Sequence, residues 1–208
     1  MQAYLKSEMP CLGVSLPAIR QTVGAHVAHG GPATAASWRR AVLGLWDGAS
    51  VREERHAAIE LARARRYAVY RVPAAIPMVE GMITTGAWWD LVDPLASDVL
   101  GDILVADPAR IARLMRRWAK DRDMWKRRAA IICQLRRKRD TDLALLYDCI
   151  EPNLADGDFF IRKAIGWALR QYAWTDPREV KRYVRAHRGR LSPLSVREAL
   201  KNADSWSA

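Results

Sequence analysis

Four segments of this chain open in the same way. Arg128-Ala-Ala130-Ile131, Arg162-Lys-Ala164-Ile165 and Arg197-Glu-Ala199-Leu200 share one pattern at spacings of 34 and 35 residues, and His56-Ala-Ala58-Ile59 stands 72 residues before the first of them, about two periods. A period near 35 built from helix pairs specifies an α-solenoid, because no single pair can bury its own apolar face and each must stack on its neighbours. Chance similarity between helix starts is the competing explanation. The tetratricopeptide signature is missing at this period, so a HEAT-like stack describes the chain better. Stacked in register, Arg128, Arg162 and Arg197 recur along one edge of the superhelix and make a charged track.

The apolar periodicity agrees with the repeat. Between Thr34 and Gly48, Ala41, Leu45 and Trp46 follow Trp38 on one helical stripe, and no segment alternates as a strand does. Ser50 and Glu53 read as a capping box, and the Asp-Pro pairs at 107–108 and 176–177 place an N-cap before a first-turn proline. Helices are predicted near 17–28, 34–48, 51–71, 75–85, 87–105, 108–121, 123–138, 141–153, 158–174, 177–187 and 193–203. The fold expected is all-α: one HEAT-like repeat domain over residues 1–208, with a concave basic groove.

Charge narrows the partner. The 34 Lys and Arg exceed the 23 Asp and Glu by eleven, which on a chain that is half apolar points to a polyanion. Residues 110–139 alone hold thirteen Lys or Arg against Asp121 and Asp123. A solvated helix face normally interleaves both signs, so this run favours nucleic-acid contact, and its Arg content suits bidentate phosphate binding. No window has the eighteen or so uncharged apolar residues of a membrane span, and Met1 to Val23 carries no apolar run of signal-peptide length. A cytoplasmic protein, associated with the nucleoid when on DNA, is expected. Cys11, Cys133 and Cys149 have neither CxxC spacing nor a His pair beside them; they read as free buried thiols with no metal site.

Chemistry is confined to a few residue types. No nucleotide-binding glycine loop, HExxH, GxSxG or Cys-His pairing is present, and His26, His29, His56 and His187 lie outside the two densest clusters. The first cluster is Trp88-Trp89-Asp90-Leu91-Val92-Asp93-Pro94. A continuous helix would put Trp89 and Asp93 on one face, whereas the proline makes Asp93 a third N-cap, and pattern alone favours the cap. The second runs from Asp158 to Arg170, where Gly166 sits mid-helix as if to permit a close approach, and Arg162, Lys163 and Trp167 can share a face. Each of the nine tryptophans is core by default, yet an indole at the mouth of a basic groove can also stack on a base or stand over a cation.

Taken in order along the chain, five stretches resemble the AlkD-type family of DNA alkylation repair glycosylases. They are Tyr4 to Val14, Thr84 to Asp93, Asp123 to Ile131, Phe159 to Ala173 and Leu191 to Lys201. The resemblance implies a HEAT-like solenoid that excises cationic N3- or N7-alkylated purines from duplex DNA without flipping the base. It needs no cofactor, no membrane and no obligate protein partner. Position by position it makes Asp93 the catalytic carboxylate, Trp89 and Trp167 the indoles flanking the lesion, and Arg128 the groove arginine. Lys126, Arg127, Arg162, Lys163, Arg197 and Lys201 become the expected DNA contacts. The chain departs from the family at Cys11, where an aromatic is common, and begins directly at the first of these stretches. A natural-product adduct projecting into the minor groove is a further candidate substrate. A non-catalytic HEAT-like DNA-binding or scaffold protein is the alternative, for which the same charge and helices would suffice.

Overall fold

A computed structural model describes residues 7–203. Tyr4, at the start of the first family-like stretch, and Trp206 lie outside them. Among the described residues there is no strand, and twelve α-helices follow one another. They are α1 (Leu16–Ala28), α2 (Ala35–Asp47), α3 (Arg52–Arg63), α4 (Ile76–Gly86), α5 (Trp89–Pro94), α6 (Gly101–Ala106), α7 (Pro108–Trp118), α8 (Met124–Ile132), α9 (Leu143–Ile150), α10 (Phe159–Ala173), α11 (Pro177–Ala186) and α12 (Pro193–Ala199). After α1 they fall in chain order into α2/α3, α4/α5–α6, α7/α8, α9/α10 and α11/α12, and the second members α3, α5, α8, α10 and α12 pack on one another in succession. This is the helical-repeat solenoid the period requires. The repeated Arg or His position falls near the start of a second member each time, at His56 in α3, Arg128 in α8, Arg162 in α10 and Arg197 in α12.

Local chemistry sets the helix starts. Asp107 and Asp176 each accept the N–H of the residue three further on, ahead of a proline that has no N–H to lose. The expected Ser50–Glu53 box is not formed. Glu54 instead accepts the N–H groups of Ser50 and Val51, one residue later than the pattern suggests, and leaves Glu53 free to reach another segment. The Trp38 stripe is corrected too: Trp38, Val42 and Trp46 are buried at a spacing of four, while Leu45 is exposed. Several expected helices are shorter, as where 51–71 divides into α3 and a 3₁₀ stretch at Arg65–Tyr70.

One contiguous apolar core runs from Trp38 to Ala199. Its tightest joint is between α10 and α12, where Gly166 meets the facing helix. A Cβ there would lie 2.5 Å from Glu198 Cβ and 2.8 Å from the Ser195 carbonyl oxygen. Backbone cannot yield as a flexible side-chain end does. Gly166→Ala is therefore expected to destabilise the protein by about 2–3 kcal/mol despite its gain in helix propensity, a loss readable in denaturant unfolding.

Candidate active site

The chain before α5 turns sharply, with Ala87 in the left-handed region at φ 40° and Trp88 extended, so that α5 begins at Trp89. Asp93 then lies inside the helix and is not an N-cap, which overturns the reading that pattern alone favours. Pro94 is accommodated differently. It has no N–H to donate and its ring crowds the preceding turn, and the helix widens into a π-helical segment over Leu95–Leu100 before resuming as α6. Trp89 and Asp93, four residues apart, consequently share a face.

That face forms one wall of a cleft of about 460 Å³. Trp167 of α10 closes another side, and α3 supplies His56, Glu53 and Ile59. The three residues on which a glycosylase reading depends, Asp93, Trp89 and Trp167, thus line a single cleft. Over it runs the segment before α1, with Cys11 and Val14, which leads into Leu16 at the start of α1. It is anchored by Glu53, whose carboxylate accepts the N–H of Leu12 at 3.1 Å and of Gly13 at 2.8 Å. Gly13 takes φ +83° to make the bend. Burial works against the Glu53 carboxylate, but these N–H groups outweigh it and hold its pKa below the usual range.

Asp93 is only 8% exposed and Arg128 only 4%. Arg128 Nε donates to Oδ1 and its Nη2 to Oδ2, both at 2.7 Å, while Nη1 donates to the Phe160 carbonyl at 2.6 Å. The guanidinium also stands 5.9 Å from the Phe160 ring, which packs with Trp88 and Trp125 in one aromatic cluster. Buried and paired in this way, Arg128 does not continue a surface track with Arg162 and Arg197, which corrects the expectation from the repeat. Burial pushes the Asp93 carboxyl above the ordinary range, and the paired guanidinium pulls the other way. Beside it Asp90 is held by Arg52, whose Nε donates at 3.0 Å, and lies 3.2 Å from His56 Nε2. Burial raises its pKa, but His56 and Arg52 outweigh burial and bring it below the usual value.

His56 is a site residue that the sequence reading set aside. The signal was in the repeat: His56 precedes Asp90 by 34 residues, and Asp93 precedes Arg128 by 35, so each pair occupies matching positions in neighbouring second helices. Arg63 with Asp98 and Lys163 with Glu198 repeat the same interval.

The expected DNA-contacting cations have different surroundings. Lys126 Nζ is 2.8 Å from Glu80 and 2.6 Å from Asp121, and Arg127 pairs with Asp156 at 2.9 Å. Arg162 Nε turns back to the Asp158 carbonyl and Lys163 pairs with Glu198, whereas Arg197 and Lys201 are exposed. From the cleft the surface continues past Arg63 into a depression that includes Arg71, Asp98, Arg136 and Arg137. Of the cysteines, Cys133 and Cys149 are buried thiols, but Cys11 is only half-buried; all three are free. Among the described residues no cluster of His, Cys, Asp or Glu has the arrangement to hold a metal ion, and no helix is long and apolar enough to cross a membrane.

Comparison with known proteins gives this geometry a context. No curated protein sequence matches the chain. A solved structure from Enterococcus faecalis, described as a predicted DNA alkylation repair enzyme, superposes with a TM-score of 0.78 at 26% identity, covering 97% of this chain and 92% of that one. The profile of the DNA alkylation repair enzyme family matches residues 1–203. The chain belongs to the DNA alkylation repair enzyme family.

Proposed function

We propose that this protein is a DNA glycosylase that releases cationic N3- and N7-alkylated purines from duplex DNA. The observation that carries the reading is the convergence of Asp93, Trp89 and Trp167 on one cleft of a chain whose net charge is +11. A scaffold that binds only phosphates has no use for a buried carboxylate set between two half-exposed indoles, whereas a positively charged base or sugar is attracted by both.

The residues suit the chemistry. Alkylation at N3 or N7 places positive charge on the purine, so its glycosidic bond can break with a neutral leaving group and needs no strong general acid. Positive charge then moves to the sugar, where the Asp93 carboxylate stabilises the oxocarbenium ion and orients the attacking water. Arg128 fixes that carboxylate by two hydrogen bonds and opposes the effect of burial on its charge, which makes it a positioning residue. The faces of Trp89 and Trp167 add attraction for the cationic sugar or base. In this reading the base stays in the duplex stack, and one repeat domain over residues 1–208 does the work without a cofactor in the cytoplasm or nucleoid. The cleft volume exceeds the space a methyl group needs, which leaves room for a bulky adduct as well.

Trp89→Ala and Trp167→Ala test the reading. Each is expected to slow single-turnover excision of a cationic alkylpurine by about 3- to 30-fold, the scale of a desolvated cation–π contact, with a smaller loss of stability than a fully buried indole costs because both are half-buried at the edge of the core. Trp38→Ala is the control, expected to lose about 3–5 kcal/mol of stability because Trp38 is fully buried. Normal excision in the two cleft variants, with stability losses like that of Trp38→Ala, would return both indoles to the core.

A further inference from the structure

Trp174 is 60% exposed, the most exposed of the described tryptophans, and the proposed chemistry does not use it. It caps the C-terminal end of α10 with helical backbone angles, so the face geometry of the helix still applies to it. Lys163, Trp167, Arg170 and Trp174 are spaced by four, three and four residues and form one stripe of cation, indole, cation, indole, in which Lys163 and Arg170 are both paired with Glu198 of α12. Trp167 opens into the cleft; Trp174 follows seven residues later, about 10 Å along the helix axis at about 1.5 Å per residue. There it shares an open depression of about 560 Å³ with Arg136, Arg137, Lys138 and Arg139.

The depression joins the cleft by a second route. Arg136 and Arg137 border both it and the depression that begins at Arg63, and Arg63 borders the cleft. Asp98 takes one contact from Arg136, and Asp102 lies 3.9 Å from Arg137. Lys138 and Arg139 make no ion pair among the described residues, and only Asp140 adds negative charge to this lining. Lys138, six residues past the end of α8, opens a 3₁₀ turn at φ +52°.

We infer that Trp174 and the cations of residues 136–139 form a second contact for duplex DNA. The indole packs against the sugar edge of the minor groove while Lys138 and Arg139 neutralise the adjoining phosphates. With the duplex axis taken along α10, a separation of about 10 Å corresponds to about three base-pair steps at about 3.4 Å each, so this contact meets the duplex about three base pairs from the lesion and fixes the register in which the cleft finds it. An exposed indole among cations is the arrangement that nucleic acid covers with both its apolar and its charged surfaces. The inference rests on the DNA-repair reading above.

The test is the affinity for an undamaged duplex, read by fluorescence anisotropy, so that it does not depend on excision. Trp174→Ala is expected to weaken binding by about tenfold and Trp174→Phe by much less, with unchanged melting curves. Lys138→Ala combined with Arg139→Ala should reduce the slope of log affinity against log salt by about two. Duplexes carrying N7-methylguanine two or six base pairs from either end supply the register. Below saturation, the wild type should excise more slowly from the short-flank duplex in one orientation, and Trp174→Ala should treat the two alike. Wild-type binding that Trp174→Ala leaves intact would overturn this contact alone. Failure of the wild type to bind duplex DNA would overturn the DNA reading with it.

Discussion

Arg128→Met is expected to destabilise the protein by about 3–5 kcal/mol, because it leaves the Asp93 carboxylate buried with no partner for its charge. Both oxygens of Asp93 are bound by this one guanidinium, and no other cation donates to them among the described residues. Adding Asp93→Asn to Arg128→Met removes the stranded charge and should recover roughly 2 kcal/mol, although Asp93→Asn alone is itself destabilising because it strands the guanidinium. Urea unfolding of the two single variants and the double variant closes the cycle. Simple addition of the two losses would mean that the side chains do not depend on each other. The π-helical segment after Pro94 does not enter the cycle, since all three variants keep it.

Binding to undamaged duplex DNA should fall by roughly 300- to 4000-fold between 50 and 200 mM salt, a slope of about −4 to −6 on logarithmic axes, as expected if about four to seven phosphates are neutralised. That is fewer than thirteen basic residues in one run would suggest. Arg116, Lys126, Arg127, Arg128 and Arg136 of that run are held by Asp or Glu inside the molecule. A cation already paired releases no counterion from DNA unless it first leaves its carboxylate. A flat salt dependence would remove phosphate binding from the account altogether.

The same ion pairs show what the sequence could and could not convey. The repeat was legible because burial imposes it: Ala130, Ala164 and Ala199 must be small and apolar wherever second helices stack, and Gly166 marks the joint where they come closest. Asp107 and Asp176 were legible as caps because capping is decided within four residues. Asp93 followed the same local rule on paper and breaks it in the fold, where a guanidinium one repeat away outweighs the preference of an Asp-Pro pair and a π-helical segment absorbs the proline. His56 was missed for the complementary reason. The partners of Arg52, Glu53 and His56 all lie on other segments, and only the stacking of α3 on α5 brings His56 to Asp90. Local patterns set the helices, while the partners of the charged groups are set by the repeat interval, which acts between helices.

Single-turnover release of the base from duplex DNA containing N7-methylguanine or N3-methyladenine tests most directly whether the cleft at Asp93 breaks a glycosidic bond. The wild type should liberate the intact methylated base and leave an abasic site. Asp93→Asn, compared at a temperature where melting curves show both proteins folded, should do so about a hundredfold more slowly, the scale of losing one preorganised electrostatic group. Its duplex affinity should hold or rise. Release at the wild-type rate with Asn at position 93, or loss of the methyl group from a purine that stays in the strand, would contradict the account.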